Sequence, residues 1–294
     1  MCNPVFTRIF CRPATHRHSV GVAIHGFTLV ELVIVILLVG IMATFTSQFI
    51  GISSQIYIDA ASREQLMSDA RFLMERLNRE LRDAVPGSVR IEDHQGNWTD
   101  KGPCVRFWPI SASSHYLSLN VEVTHANPTF ELVMVTPALE TDPFIADGNA
   151  VQDSDRLIVF PIPDQNSDSL MAGCKYGGCV AMVTDVMAPV SGIQTIRYSS
   201  VEMLAGRSPG NRIYFAREQV RYCVEGNYVT RSRAGLEDSL PTTGVLMAES
   251  LNSGSFYREP MAFNTEGVFG IRFVFARRGE SVTFNHKIGV RNVP

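Results

Sequence analysis

The sequence lacks most of the patterns that announce chemistry. It has no Gly-x4-Gly-Lys-[Ser/Thr] loop, no His-Glu-x2-His, no Gly-x-Ser-x-Gly and no Gly-x-Gly-x2-Gly. The expectation is therefore a protein that is not an enzyme and needs no cofactor. A basic excess is also missing. Lys and Arg number 26 against 29 Asp and Glu, a net charge of −3, which argues against a nucleic-acid partner. No proline occurs from Phe27 to Val85, and no charged side chain lies between Glu31 and Asp59. Tryptophan is scarce; Trp98 and Trp108 read as packing residues rather than a sugar platform. His94, His115, His125 and His286 are scattered and read as surface or satisfied core positions. Internal repeats and low-complexity linkers are absent.

What is present begins with an asymmetric N-terminus. Residues 1–26 carry Arg8, Arg12, Arg17 and three histidines, and no acid. From Leu32 to Ala43 every residue is apolar or glycine. An apolar run of this kind, extended by an uncharged flank, is long enough to insert as a helix into a hydrocarbon core of roughly 30 Å. The positive charge precedes it, so the N-terminus is expected to stay cytoplasmic and the remainder to be exported.

Two ordinary readings compete: a secretory signal peptide and a plain signal anchor. A signal peptide shows a small-residue cleavage site after its apolar run, and the stretch after Ala43 has no evident Ala-x-Ala-like site. Here the small residue, Gly26, stands before the run. Glu31 is equally out of place. A charged side chain in the bilayer costs about 2.5–3.5 kcal/mol on insertion scales and calls for a partner. Cleavage between Gly26 and Phe27 creates one. The new α-amine can pair with Glu31, the fifth residue of the shortened chain, in its own or a neighbouring subunit.

Gly26-Phe27-Thr28-Leu29-Val30-Glu31 followed by the apolar run resembles the class III signal of type IV pilins and type II secretion pseudopilins. The resemblance implies that a prepilin peptidase cuts after Gly26 and N-methylates Phe27. It also implies that Glu31 is the assembly carboxylate. A narrower likeness spans nearly the full length. Phe49-Ile-Gly, Gln55-Ile-Tyr, the segment Arg71–Arg82, Val220-Arg-Tyr-Cys-Val224 and Val290-Arg-Asn-Val-Pro294 are similar to MshO-type minor pilins of mannose-sensitive haemagglutinin (MSHA) pilus systems. Those resemble J-type minor pseudopilins in organisation. The likeness implies a low-abundance subunit that helps to start a filament, with partners among the other pilins and the inner-membrane assembly platform. The implied location is the bacterial inner membrane, head in the periplasm, and later the pilus at the cell surface. A minor pseudopilin of a type II secretion system and a tip-exposed adhesin remain as alternatives.

The expected layout is α+β. Residues 1–26 form a leader, 27–85 a long helix whose first half crosses the membrane, and 86–294 a β-rich head. Residues 27–84 as one helix would span about 87 Å at 1.5 Å per residue. In its second half Leu66, Ala70, Leu73, Leu77 and Leu81 define one apolar face, read as core against a sheet. Arg71–Glu75, Glu75–Arg79, Arg76–Glu80 and Arg79–Asp83 lie at i,i+4 on the other, read as solvated. Gly40 and Gly51 are candidate soft or close-packing points. Pro86-Gly87 then stops the helix. Short β-rich runs follow at Val105–Trp108, Leu117–Val123, Glu131–Val135, Arg156–Phe160, Ile193–Tyr198, Arg212–Phe215, Glu218–Glu225, Tyr228–Arg231, Gly267–Phe275 and Ser281–Val293, with Gly226-Asn227 as a hairpin signal. They predict one head of mostly antiparallel sheet packed on the helix.

Four cysteines lie outside the leader, Cys104, Cys174, Cys179 and Cys223. An even count in an exported domain predicts disulfides. Cys174 and Cys179 can close a small loop through two glycines, leaving Cys104 with Cys223. Four cysteines allow three pairings, and sequence alone does not choose. A zinc site of all four is the alternative, without Cys-x2-Cys spacing to support it. Asp142, Asp147, Asn149, Asp153 and Asp155 form an acidic loop dense enough in oxygen to be weighed for Ca²⁺, but its spacing is not that of an EF-hand. A solvated loop is the preferred reading, with no metal expected.

Overall fold

The computed structural model describes residues 26–119, 129–135, 151–162, 170, 174–175, 177–200, 204, 208–258 and 268–289. The chain divides into two compact units, Met1–Ile56 and Tyr57–Pro294. One helix, α1, runs Leu29–Arg82. The absence of proline lets it run that far, and backbone pairing ends it. The Val85 N–H donates to the Trp108 carbonyl at 2.8 Å, and the Ile110 N–H to the Asp83 carbonyl at 2.9 Å. The chain thus leaves the helix into a β-type contact before Pro86.

Fifteen strands are described: β1 Arg90–Glu92, β2 Lys101–Gly102, β3 Cys104–Phe107, β4 Ala112–Leu119, β5 Thr129–Val135, β6 Arg156–Val159, β7 Val180–Val186, β8 Ile193–Ser199, β9 Arg212–Ala216, β10 Glu218–Glu225, β11 Tyr228–Gly235, β12 Val245–Ala248, β13 Leu251–Arg258, β14 Val268–Arg277 and β15 Glu280–Gly289. They make three assemblies within the mostly antiparallel head that the sequence predicted. One sheet has the order β1-β3-β10-β11-β12, a second β15-β14-β13-β2, and β4-β5-β8-β7-β6-β9 close into a barrel. All the paired strands are antiparallel. The α+β layout of a long N-terminal helix followed by antiparallel sheets stands.

Two tight turns fix register. Gly226 has φ +63° while Asn227 does not enter the left-handed region. Glycine at the first central position is what a type II′ turn needs, and it joins β10 to β11. Arg278 and Gly279 have φ +52° and +87°, the pair of positive values of a type I′ turn between β14 and β15.

Within the second unit, Leu66, Ala70, Leu73, Leu77 and Leu81 of α1 share one core with both open sheets. The predicted apolar stripe is therefore the buried one. Partners include Phe107, Tyr222, Phe256, Phe273 and Phe275. The Phe256, Phe273, Phe275 and Phe284 rings meet edge to face in a chain. The barrel has its own core, with Leu132, Met134, Leu157, Ile196, Tyr198, Ile213 and Phe215 inside, so its interior is packed with side chains. A third, smaller cluster around Val85, Trp108, Ile158 and Tyr214 ties the end of α1 to the barrel.

Candidate functional site: the N-terminal motif and the long helix

The helix starts at a cap. The Glu31 backbone N–H donates to Thr28 Oγ1 at 3.2 Å. Thr28 is thus the N-cap and Glu31 sits at the third helical position, the Thr-x-x-Glu spacing of a capping box. Sequence reading missed this second meaning of Glu31, although the spacing carried it. An acidic side chain in the first turn is also favoured by the helix dipole. Gly26 and Phe27 precede the cap, and Phe27 is 76% exposed. A Cβ placed on Gly26 meets nothing within 4 Å. Any demand for glycine there comes from outside the fold, as from an enzyme that grips this bond. Gly40 and Gly51 are equally open, so their small size matters only to another surface laid against the helix.

From Leu29 to Tyr57 the helix exposes every side chain. Its best 18-residue window has a mean hydropathy of 2.6 with no residue buried. Among the described residues this is the one helix long and apolar enough to cross a membrane. Its polar side chains are adapted to that. Thr44 Oγ1 donates to the Ile41 carbonyl and Thr46 Oγ1 to the Met42 carbonyl, both at 2.7 Å. Hydroxyls satisfied by their own helix need no water.

Farther along, the face read as solvated is not uniformly so. Of the four predicted i,i+4 ion pairs, only Arg76–Glu80 forms among the described residues, at 2.9 Å. Glu80 is largely withdrawn from solvent because the head claims it. The Tyr222 hydroxyl donates to Glu80 Oε2 at 3.0 Å, and Arg231 Nε reaches the same oxygen at 3.0 Å. The Arg231 guanidinium also lies 5.9 Å from the Tyr222 ring centroid. Burial, reinforced by the Glu80 charge, pushes the Tyr222 hydroxyl well above its ordinary value. A folded-state value above the unfolded one means stability that is complete at neutral pH and declines as pH rises past about 10. Tyr222→Phe is expected to cost about 1.5–3 kcal/mol at neutral pH, the scale of a hydrogen bond to a charged group. Urea titrations across the alkaline range should also show a shallower alkaline decline. A variant as alkali-sensitive as the parent would mean that another tyrosine sets the decline.

The remaining singled-out residues are dispersed. Cys104–Cys223 and Cys174–Cys179 are disulfides. The first joins directly opposed residues of β3 and β10, so these cysteines hold no zinc. Asp155 of the acidic loop is buried and committed. Arg217 Nε and Nη2 donate to its two oxygens at 2.7 and 3.1 Å, and the Gln152 N–H adds a third bond. That hydrogen-bonded contact raises the Arg217 pKa further. Asp153 is exposed, while Asp142, Asp147 and Asn149 lie outside the described residues, as does His125. Among the described residues no group of three or more His, Cys, Asp or Glu could hold a metal ion. His94, His115 and His286 are exposed and apart. Trp108 is buried as expected, but Trp98 is 42% exposed with the Arg258 guanidinium 5.6 Å from its ring centroid.

One buried carboxylate escaped the sequence reading. Glu92 is about 1% exposed and lies among three arginines. Arg106 Nη2 is 2.5 Å from Oε1, Arg90 Nε 3.4 Å from the same oxygen and Arg221 Nε 3.3 Å from Oε2. Register explains the group, because Arg90, Arg106 and Arg221 stand opposite one another across β1, β3 and β10. Like charges so placed repel, and the single carboxylate holds them.

No curated protein and no solved structure matches the chain. Residues 23–47 match the prokaryotic N-terminal methylation motif. The motif and the apolar helix support a type IV pilin or pseudopilin, a membrane-anchored structural subunit processed by prepilin peptidase.

Proposed function

We propose that the chain is a minor pilin: a low-abundance subunit of an MSHA-type type IV pilus, close to the MshO-type subunits, that helps to prime filament assembly. The observation that carries this reading is the order of parts. A glycine with no steric need for it in the fold is followed by a capped helix start, a carboxylate in the first turn and a fully exposed apolar helix. In this reading the peptidase cuts after Gly26 and methylates Phe27. The leader and helix hold the precursor in the inner membrane with the head in the periplasm. Glu31 then pairs with a Phe27 amine in the assembling bundle, and each helix exchanges lipid for neighbouring helices. Other pilins and the inner-membrane assembly platform are the partners.

The test is the intact mass and N-terminal sequence of the membrane-extracted protein, with and without the peptidase. A chain starting at methylated Phe27 only when the peptidase is present is expected. Gly26→Val should leave residues 1–26 attached, and Glu31→Ala should leave the head folded while the subunit disappears from sheared filaments. Normal processing of the first variant would sink the cleavage site, and normal incorporation of the second would sink the salt-bridge account. Recovery of the wild-type subunit in secretion pseudopili instead would move the chain to a type II secretion system.

A further inference from the structure

The outward face of the β15-β14-β13-β2 sheet is unlike the rest of the molecule. Its inward positions, Phe256, Phe269, Ile271, Phe273, Phe275 and Ile288, belong to the core. Opposed residues of an antiparallel sheet share a face, so the ladder places Lys101, Tyr257, Gly270 and Lys287 in one outward row. Ser255, Arg272 and Asn285 form the next, then Ser253, Val274 and Thr283. Among the described residues no outward position of these four strands is Asp or Glu. Lys101, Arg272 and Lys287 are exposed, and neither Lys101 nor Arg272 makes an ion pair with any described residue. In a chain of net charge −3 this is a local cationic field. Strand spacing sets Lys101 and Lys287 roughly 14 Å apart, with Arg272 about 7 Å along the strand from their row.

The aromatic in the centre is laid down rather than raised. The Tyr257 ring occupies the space that a Cβ on Gly270 would fill, so it lies over the glycine across the strand pair. The surroundings are small and polar, Ser253, Ser255, Thr283 and Asn285. We propose that this face binds an acidic polysaccharide. A pyranose ring would lie against Tyr257, hydroxyls would meet the Ser, Thr and Asn side chains, and carboxylates would pair with Arg272 and Lys101. A carboxylate suits the planar guanidinium fork of arginine. An acidic protein surface fits less well, because the face offers only Val274 in its middle rows as an apolar anchor. Nucleic acid fits less well because one flat ring gives a poor stacking ladder.

The inference stands apart from the filament reading, since it concerns only the head. The test uses the immobilised full chain in non-ionic detergent, probed with polygalacturonate, neutral dextran and single-stranded DNA. Polygalacturonate should bind and dextran should not. The affinity should fall between roughly 50 and 500 mM NaCl. Lys101→Gln/Arg272→Gln should weaken it by at least about tenfold, and Tyr257→Ala by a similar factor. The charge variants alter exposed side chains, so they decide the matter even where Tyr257→Ala fails to fold. Absent polygalacturonate binding overturns the proposal. So does binding that survives the charge variants, and so does DNA binding of equal strength that folded Tyr257→Ala leaves intact.

Discussion

Glu92→Gln is expected to destabilise the chain by about 3–5 kcal/mol, the range for breaking a buried ion pair from one side. The glutamine has nearly the same shape, so packing is unchanged. What is lost is the one negative charge among Arg90, Arg106 and Arg221. Three guanidiniums would then face one another across β1, β3 and β10 without the carboxylate between them. The Asp93 and His94 carbonyls already serve Arg221, and Gln219 serves Arg106 at 3.4 Å. The Arg221 and Arg106 approaches to Glu92 are close ion pairs rather than aligned hydrogen bonds, since Arg221 Nε on the one side and Glu92 Oε1 on the other have no hydrogen-bond partner of good geometry. Charge, not bond direction, is therefore the expected source of the loss. Urea unfolding at neutral pH measures it. A companion Arg90→Gln chain removes a repelling charge and should lose far less. Equal losses would mean that shape, not charge, matters at this site.

Removing the Cys104–Cys223 disulfide is the second large effect. Its cysteines lie 119 residues apart in sequence, against 5 for Cys174–Cys179. In the chain-entropy account, closing the long loop is worth about 5 kcal/mol and the short one about 2. Cys104→Ala/Cys223→Ala should therefore destabilise by more than twice as much as Cys174→Ala/Cys179→Ala, measured by thermal unfolding. Both cysteines of the long link are buried in the sheet, which adds packing loss to the first variant. Equal costs would show that loop length does not govern the stabilisation.

Much of the fold was legible because its signals are periodic or local. The apolar run, the proline-free stretch and the spacing of Leu66, Ala70, Leu73, Leu77 and Leu81 predicted α1 and its buried face. The Gly226-Asn227 pair marked its hairpin. Strands with alternating or apolar runs, such as Arg156–Val159 and Arg212–Ala216, were found within a residue or two. Of the strands that escaped, β1, β2 and β12 are short, with three, two and four residues, and β13, Leu-Asn-Ser-Gly-Ser-Phe-Tyr-Arg, reads like a turn. β7 is different. Ala181 and Val183 are buried at period two, a signal that was present and passed over. Closure of six strands into a barrel is a matter of non-local pairing, and no local pattern encodes it. The same holds for Glu80 and Glu92. Tyr222 and Arg231 reach Glu80, and Arg221 reaches Glu92, from over a hundred residues away, so the first looked like a solvated helix charge and the second like nothing at all. The processing motif was legible because its parts are contiguous.

The barrel enters the head after β3 and leaves it before β10, and those two strands are hydrogen-bonded neighbours with Phe107 opposite Val220 and Cys104 bonded to Cys223. The strands β4 to β9 could be replaced by a short connection without removing the strands that hold α1 or the Trp108 and Ile110 contacts that end it. In a gene this is the arrangement of a removable cassette. The portion that grips the helix would be inherited as one conserved frame, while the inserted portion is free to be lost, enlarged or exchanged among lineages. Comparisons across species should then find length variation concentrated between the two bonded cysteines.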